Sequence, residues 1–200
     1  MIRLALSHKD WLLGFEDETW WSRFEQPKLY AWAQENHPLR LIEQVKLTAD
    51  KEAKALACYG LLVREGEAEQ VWLRFVDGRP VSALTIEFLA WLCDKTQALG
   101  KRVLALVWDN ASWHRSKAVR AWVRLRNQHV KRAGQGVRLL ICPLPTKSPW
   151  LNPIEPKWLH AKRRILEPDG TLSMNELAER ICAAFNCTHE AHLSIPEKDS

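Results

Sequence analysis

Val103-Leu104-Ala105-Leu106-Val107-Trp108-Asp109-Asn110-Ala111-Ser112-Trp113-His114 is the stretch on which the fold turns. Its first six residues form an unbroken apolar run of strand length, which predicts a central strand buried on both faces. The run breaks at Asp109-Asn110, residues that favour turns, so the strand delivers a carboxylate at its C-terminal end. Ligands of open α/β sheets bind beyond the carboxyl ends of the strands. Asp109 is therefore the first candidate for chemistry.

Around this strand the pattern alternates. Upstream, Ser82 to Leu99 predicts a helix, with Leu84, Phe88, Leu89 and Leu92 at helical spacing and Gly100 just past its end. Downstream, a second helix runs from about Ser116 to Arg132, with Gly134 and Gly136 after it. Val137 to Cys142 reads as another buried strand, ended by Pro143 and Pro145. Helices over Pro153–Leu166 and Asn175–Asn186 follow, then a loose tail. Towards the N-terminus, Trp11 to Phe15 reads as a buried strand that ends at Glu16-Asp17-Glu18. Trp20 to Trp32 is a second strand or an extended loop around Pro27, and residues 34–52 give no element. Ala55–Val63 and Gln70–Val76 are strands joined by the turn Arg64-Glu65-Gly66-Glu67, and Asp77-Gly78-Arg79-Pro80 closes the second. Early strands followed by strand–helix alternation predict an antiparallel three-strand meander continued by parallel strands with crossovers. The fold class is α/β, a ribonuclease H-like mixed sheet flanked by helices. It forms one domain over residues 1–186 with a tail over 187–200.

A chain of 200 residues buries a sizeable core without disulfides. It has no run of about 18 apolar residues that would span a membrane. Asp10, Glu16 and Asp17 interrupt any signal peptide. Five scattered cysteines, an odd number, suit reduced thiols in a cytoplasm. The net charge is only +5, but residues 101–164 hold 15 Lys or Arg against two acids, leaving −8 for the rest. Such concentration points to a polyanion, with nucleic acid the natural class. Arg115, Lys117, Arg120, Arg124 and Arg126 on one helix, and Lys157, Lys162, Arg163 and Arg164 on another, are phosphate-contact candidates, some of them merely solvated. Most of the eleven tryptophans read as core, whereas Trp150 and Trp158 flank Glu155.

The two acids inside the basic half are Asp109 and Glu155. Glu155 lies at a helix start, with Asn152 as N-cap and Pro153 as first residue. Pro156 lacks an N–H and makes that turn irregular, or moves the start to Pro156. Strand alternation puts Asp17 on the face opposite Glu16 and Glu18. Asp17, Asp109 and Glu155, from three separate elements, can hold two magnesium ions about 3.5–4 Å apart. Asn110 and His114 are candidates to sit beside the metals, although His114 reads equally as a surface imidazole. Cys182, Cys187, His189 and His192 match no common zinc spacing and read as a chance grouping.

Three blocks then carry a resemblance. Gly14-Phe15-Glu16-Asp17-Glu18-Thr19, Trp108 to His114, and Leu144-Pro145-Thr146-Lys147-Ser148-Pro149-Trp150-Leu151-Asn152-Pro153-Ile154-Glu155 resemble those of the DDE transposases. The nearest branch is the bacterial insertion-sequence relatives of the mariner elements, and the likeness runs to about residue 186. It implies a catalytic domain using Asp17, Asp109 and Glu155 with two Mg2+ or Mn2+ ions. Such a domain hydrolyses transposon ends and joins the freed 3′-hydroxyl to target DNA. It implies double-stranded DNA as partner, a homo-oligomer on DNA, and a bacterial cytoplasm. The family's N-terminal helix-turn-helix region does not precede Asp17 here, so a separate polypeptide supplies it or the chain is a fragment. Two other readings remain: a catalytically decayed or domesticated DNA-binding protein, and another ribonuclease H-like nuclease.

Overall fold

The central apolar run does become the middle of a sheet. In the computed structural model, which describes residues 5, 7–23, 51–66, 68–146, 148–165 and 172–195, every residue of strand Val103–Trp108 is buried. In chain order the elements are β1 (Trp11–Ser22), β2 (Ala55–Glu65), β3 (Ala68–Val76), α1 (Ser82–Ala98), β4 (Val103–Trp108), α2 (Lys117–Ala133), β5 (Arg138–Pro143), a 3-10 turn (Pro149–Leu151), α3 (Glu155–Ile165) and α4 (Met174–Phe185). They form one five-stranded sheet in the order β3-β2-β1-β4-β5. The β1–β2 and β2–β3 ladders are antiparallel, whereas β1–β4 and β4–β5 are parallel. This is the mixed ribonuclease H-like sheet expected from the element order.

Alternation along the strands divides the core. Leu12, Leu104, Leu106 and Trp108 face α1 and α2, packing with Leu84, Phe88, Leu92 and Val119. Leu13, Phe15, Trp21, Ala105 and Val107 face α3 and α4, packing with Ile154, Trp158, Leu177 and Ile181. The helix ends follow local chemistry. Ser116 caps α2 by accepting from Val119 N–H, and Gly134 ends it with φ +67°. Ser173 and Glu176 form a capping box on α4.

Four expectations change. β1 does not stop before the acids; it runs on to Ser22, because β2 pairs with it through Ser22↔Ala55. The expected second element at 20–32 therefore begins inside β1, and residues 24–50 lie outside the described residues. β5 is an edge strand, only partly buried, and not the buried strand expected. Its free edge is covered by α2: the Asn127 side chain accepts from Leu139 N–H and donates to Leu139 C=O, at 2.9 and 2.8 Å. Finally, the segment after α4 is docked as far as Leu193. Leu193 is buried and bridges Val76, with its N–H on Phe75 C=O and its C=O accepting from Asp77 N–H. Among the described residues no helix is long and apolar enough to cross a membrane.

Candidate active site

Register brings two acids together. The parallel β1–β4 ladder ends at Phe15↔Val107. Two residues further on, Asp17 and Asp109 stand at the same level on neighbouring strands, both on the α3 face by alternation. Glu155, the first residue of α3, enters from the layer above. A cavity of about 310 Å³ is lined by Asp17, Asp109 and Glu155 together with Asn110, Leu144, Thr146, Ser148 and Asn152. The three acids expected from sequence thus share one wall-to-wall space.

Two of the acids, Asp17 and Asp109, are held by identifiable neighbours. Trp158, buried one turn into α3, donates its indole N–H to Asp17 Oδ2 at 2.9 Å. It fits because β2 carries Gly60 opposite Asp17; a Cβ there would lie 2.3 Å from the indole ring. Burial and the charge of Glu155 push the Asp17 carboxyl up to about 7, against the pull of the Trp158 hydrogen bond. Asp109 is held the other way. Its Oδ1 accepts from Ala111 N–H at 2.8 Å and meets His114 Nδ1 at 2.9 Å, and the His114 bond holds its carboxyl below the usual range despite partial burial. Asn110 donates to Leu144 C=O at 2.6 Å, tying the β4 loop to the β5 loop across the cavity wall.

The start of α3 differs from a simple cap. Asn152 is buried, and its Nδ2 donates to Glu16 C=O at 2.8 Å, tying the α3 entry to β1. The helix begins at Glu155, so Pro156 falls in the first turn, where no N–H is required. Asn152→Ala would leave the Glu16 carbonyl unpaired, and should destabilise the fold by about 1–3 kcal/mol in urea denaturation.

His114 is not a surface imidazole: it is 2 % exposed. Its ring stacks on Trp108 with centroids 4.3 Å apart. On the sheet face opposite Asp17, its Nε2 lies 3.1 Å from Glu18 Oε1 and 3.3 Å from Glu16 Oε2. Burial disfavours its charged form, but Glu16, Asp109 and Glu18 outweigh burial and hold the ring up to about 11. Trp113 also donates to Glu18. The sequence singled out neither the buried Glu16 nor the Trp158 contact. Strand alternation, which already set Glu16 and Glu18 apart from Asp17, was the available signal.

The basic candidates scatter. Lys162 lies nearest the acids: it is half-buried over the Trp21 ring, and burial lowers its ammonium while Asp17 and Glu155 oppose that shift. Lys157 is instead paired with Glu69 at 2.7 Å, and with Arg164 it lines a separate cavity beside β3. Arg163 and Arg164 are exposed, as are Arg115, Lys117, Arg120 and Arg124. On α2, Lys117 starts at the cavity end, and Arg124 lies about 10 Å further along the axis. Arg126 packs over Trp122 and against Cys93, a structural placement. Cys187 N–H donates to Cys182 C=O at 3.0 Å at the end of α4, whereas His189 and His192 pack on Phe75. Those four do not gather as metal ligands among the described residues.

Mixed sheet and acid-lined cavity define the class: a ribonuclease H-like nuclease domain. The sequence pattern of the DDE superfamily endonucleases matches residues 15–177, and the chain belongs to that family. Nucleases of this family use divalent metals. Among solved structures, the chain is similar to Mos1 transposase in its paired-end complex with the left transposon end. There identity is 14 % and the TM-score 0.59, over 88 % of this chain and 48 % of that one. It is similar to the Mos1 mariner paired-end complex with Mn at 15 % identity and TM-score 0.57, over 88 % and 48 %. It also resembles the pre-cleavage Mos1 transpososome at 15 % and 0.58, over 94 % and 51 %. These likenesses establish the fold, and the chain spans about half the length of the Mos1 chains. No curated protein matches it.

Proposed function

We propose that the chain is the catalytic domain of a transposase, cleaving DNA at transposon ends and joining the freed 3′-hydroxyl to target DNA. The observation that carries this reading is the single cavity lined by Asp17, Asp109 and Glu155 from three separate elements. The donor set fits divalent cations: three carboxylates face one space, where burial first and then the charge of Glu155 raise the Asp17 carboxyl. Asp17, Asp109 and Glu155 would hold two Mg2+ or Mn2+ ions, and the Mn in the Mos1 complex supports that choice. When bound, such ions activate the attacking oxygen and stabilise the leaving one.

The protein's own groups do the rest. Trp158 and His114 fix Asp17 and Asp109 in place. Lys162 lends positive charge beside Asp17 and Glu155. Arg115, Lys117, Arg120, Arg124, Arg163 and Arg164 are proposed to grip phosphates of double-stranded DNA without reading sequence. Lys157 joins them only by leaving Glu69. Asn110 sets the cavity wall. We further propose that the protein works as a homo-oligomer on paired ends in the bacterial cytoplasm. Nicking of a supercoiled plasmid carrying the element's ends, with Mg2+ or Mn2+, tests the reading. Firm DNA binding without any metal-dependent nicking would instead mark a decayed DNA-binding protein.

Asp17 gives this activity a pH dependence. Its carboxyl must ionise to take a metal, so below about 7 metal affinity should fall by about tenfold per pH unit. Trp158→Phe removes the bond that favours ionisation, and should move the midpoint upward by about one pH unit. A pH series of Mn2+ titrations checks both. Stability runs oppositely in the metal-free chain. The folded state holds the Asp17 proton more tightly than the unfolded chain, so that contribution is complete below 3.8 and lost as pH rises through about 7.

A further inference from the structure

The face of β1 turned away from the cavity carries a second set of ligand-type groups. One Glu16 oxygen, one Glu18 oxygen and one His114 nitrogen all lie within 4.8 Å of one another. Glu16 is 1 % exposed, and neither of its carboxylate oxygens has a hydrogen-bond partner. A buried carboxylate without hydrogen bonds is unfavourable by several kcal/mol, and the one imidazolium near it, His114, is shared among Glu16, Glu18 and Asp109. The Nε2 distances to Glu16 and Glu18, 3.3 and 3.1 Å, are informative. Two ligand atoms each about 2.1 Å from one ion stand about 3.0–3.4 Å apart in octahedral or tetrahedral geometry.

We propose that Glu16, Glu18 and His114 form a buried site for one transition-metal ion of the zinc class, separate from the cavity of Asp17, Asp109 and Glu155. The ligand set favours that class over magnesium. An imidazole suits Zn2+ and its neighbours, whereas Mg2+ prefers oxygen ligands and keeps several waters, for which a buried pocket has little space. The surrounding hydrogen bonds resemble those that orient metal ligands. His114 directs its other nitrogen to Asp109 Oδ1 at 2.9 Å, and Trp113 donates to Glu18. Such outer hydrogen bonds orient ligands and raise their affinity. A divalent ion here exchanges for the proton on Nε2 and leaves the Nδ1–H on Asp109. The buried ion therefore sets the position of an acid in the cavity through one imidazole ring.

The test uses the full chain carrying Asp17→Asn and Glu155→Gln, which disables the cavity and separates this site from the proposed function. After chelator treatment the protein is titrated with Co2+, with visible absorption and elemental analysis as readouts. The expected result is one Co2+ per chain, displaced by Zn2+ but not by Mg2+, with affinity reduced at least tenfold by adding Glu16→Gln. Absence of Co2+ binding, or binding indifferent to Glu16→Gln, overturns the site. Should Glu16→Gln fail to fold, the Asp17→Asn, Glu155→Gln chain decides alone. Its melting temperature should rise with stoichiometric Zn2+, and an unchanged melting temperature refutes the proposal.

Discussion

Asp109→Asn should lower metal-dependent nicking by about a thousandfold or more while leaving the fold intact. The argument rests on position. Asp109 is half exposed at the end of a fully buried strand, so removing its charge disturbs little packing. It stands level with Asp17 and lines the same cavity as Asp17 and Glu155. The amide preserves the shape and the contact with Ala111 but supplies no negative charge for a divalent ion. Loss of the Asp109 partner also relaxes His114, whose ring is held protonated partly by that carboxylate. Melting temperature and plasmid nicking, measured on the same preparation, separate the two effects. Glu155→Gln should behave alike.

Gly60→Ala should be the most disruptive added methyl among the described glycines. The added Cβ falls 2.3 Å from Trp158 and 3.2 Å from Ile154. Both are buried core residues, and Gly60 is paired on both sides, to Asp17 and to Leu73. The strand has no room to retreat, so the indole and the start of α3 must move. Overpacking of this kind destabilises by about 3 kcal/mol. Because Trp158 holds Asp17 and α3 carries Glu155, a shift of about 1 Å should also slow nicking by about a hundredfold. Urea denaturation and the nicking assay measure the two losses. A variant that keeps normal stability and rate would mean that Trp158 does not position Asp17.

Much of this site is legible in the sequence because its elements are punctuated locally. The run from Val103 to Trp108 ends at a turn, Ser116 and Gly134 bracket α2, and three short blocks mark the acids. What escaped reading depends on partners far along the chain. The acids of β1 looked like a strand end, since exposed Glu-Asp-Glu would end one. They continue the strand because His114 and Trp113, almost a hundred residues away, meet Glu16 and Glu18 on one face, while Trp158 meets Asp17 on the other. β5 read as buried because its apolar run resembles that of β4. Its edge is covered by one side chain, Asn127, which no periodicity reveals. Lys157 read as a phosphate contact from its helix, yet Glu69 on β3 takes it.

The central claim is that Asp17, Asp109 and Glu155 together hold divalent metal in one cavity. Anomalous diffraction from crystals of the full chain soaked in Mn2+ tests it most directly. The account predicts at least one Mn2+ peak bounded by those three carboxylates, abolished in Asp109→Asn. Crystals saturated with Mn2+ that show no peak in that cavity, or a peak untouched by Asp109→Asn, would contradict it.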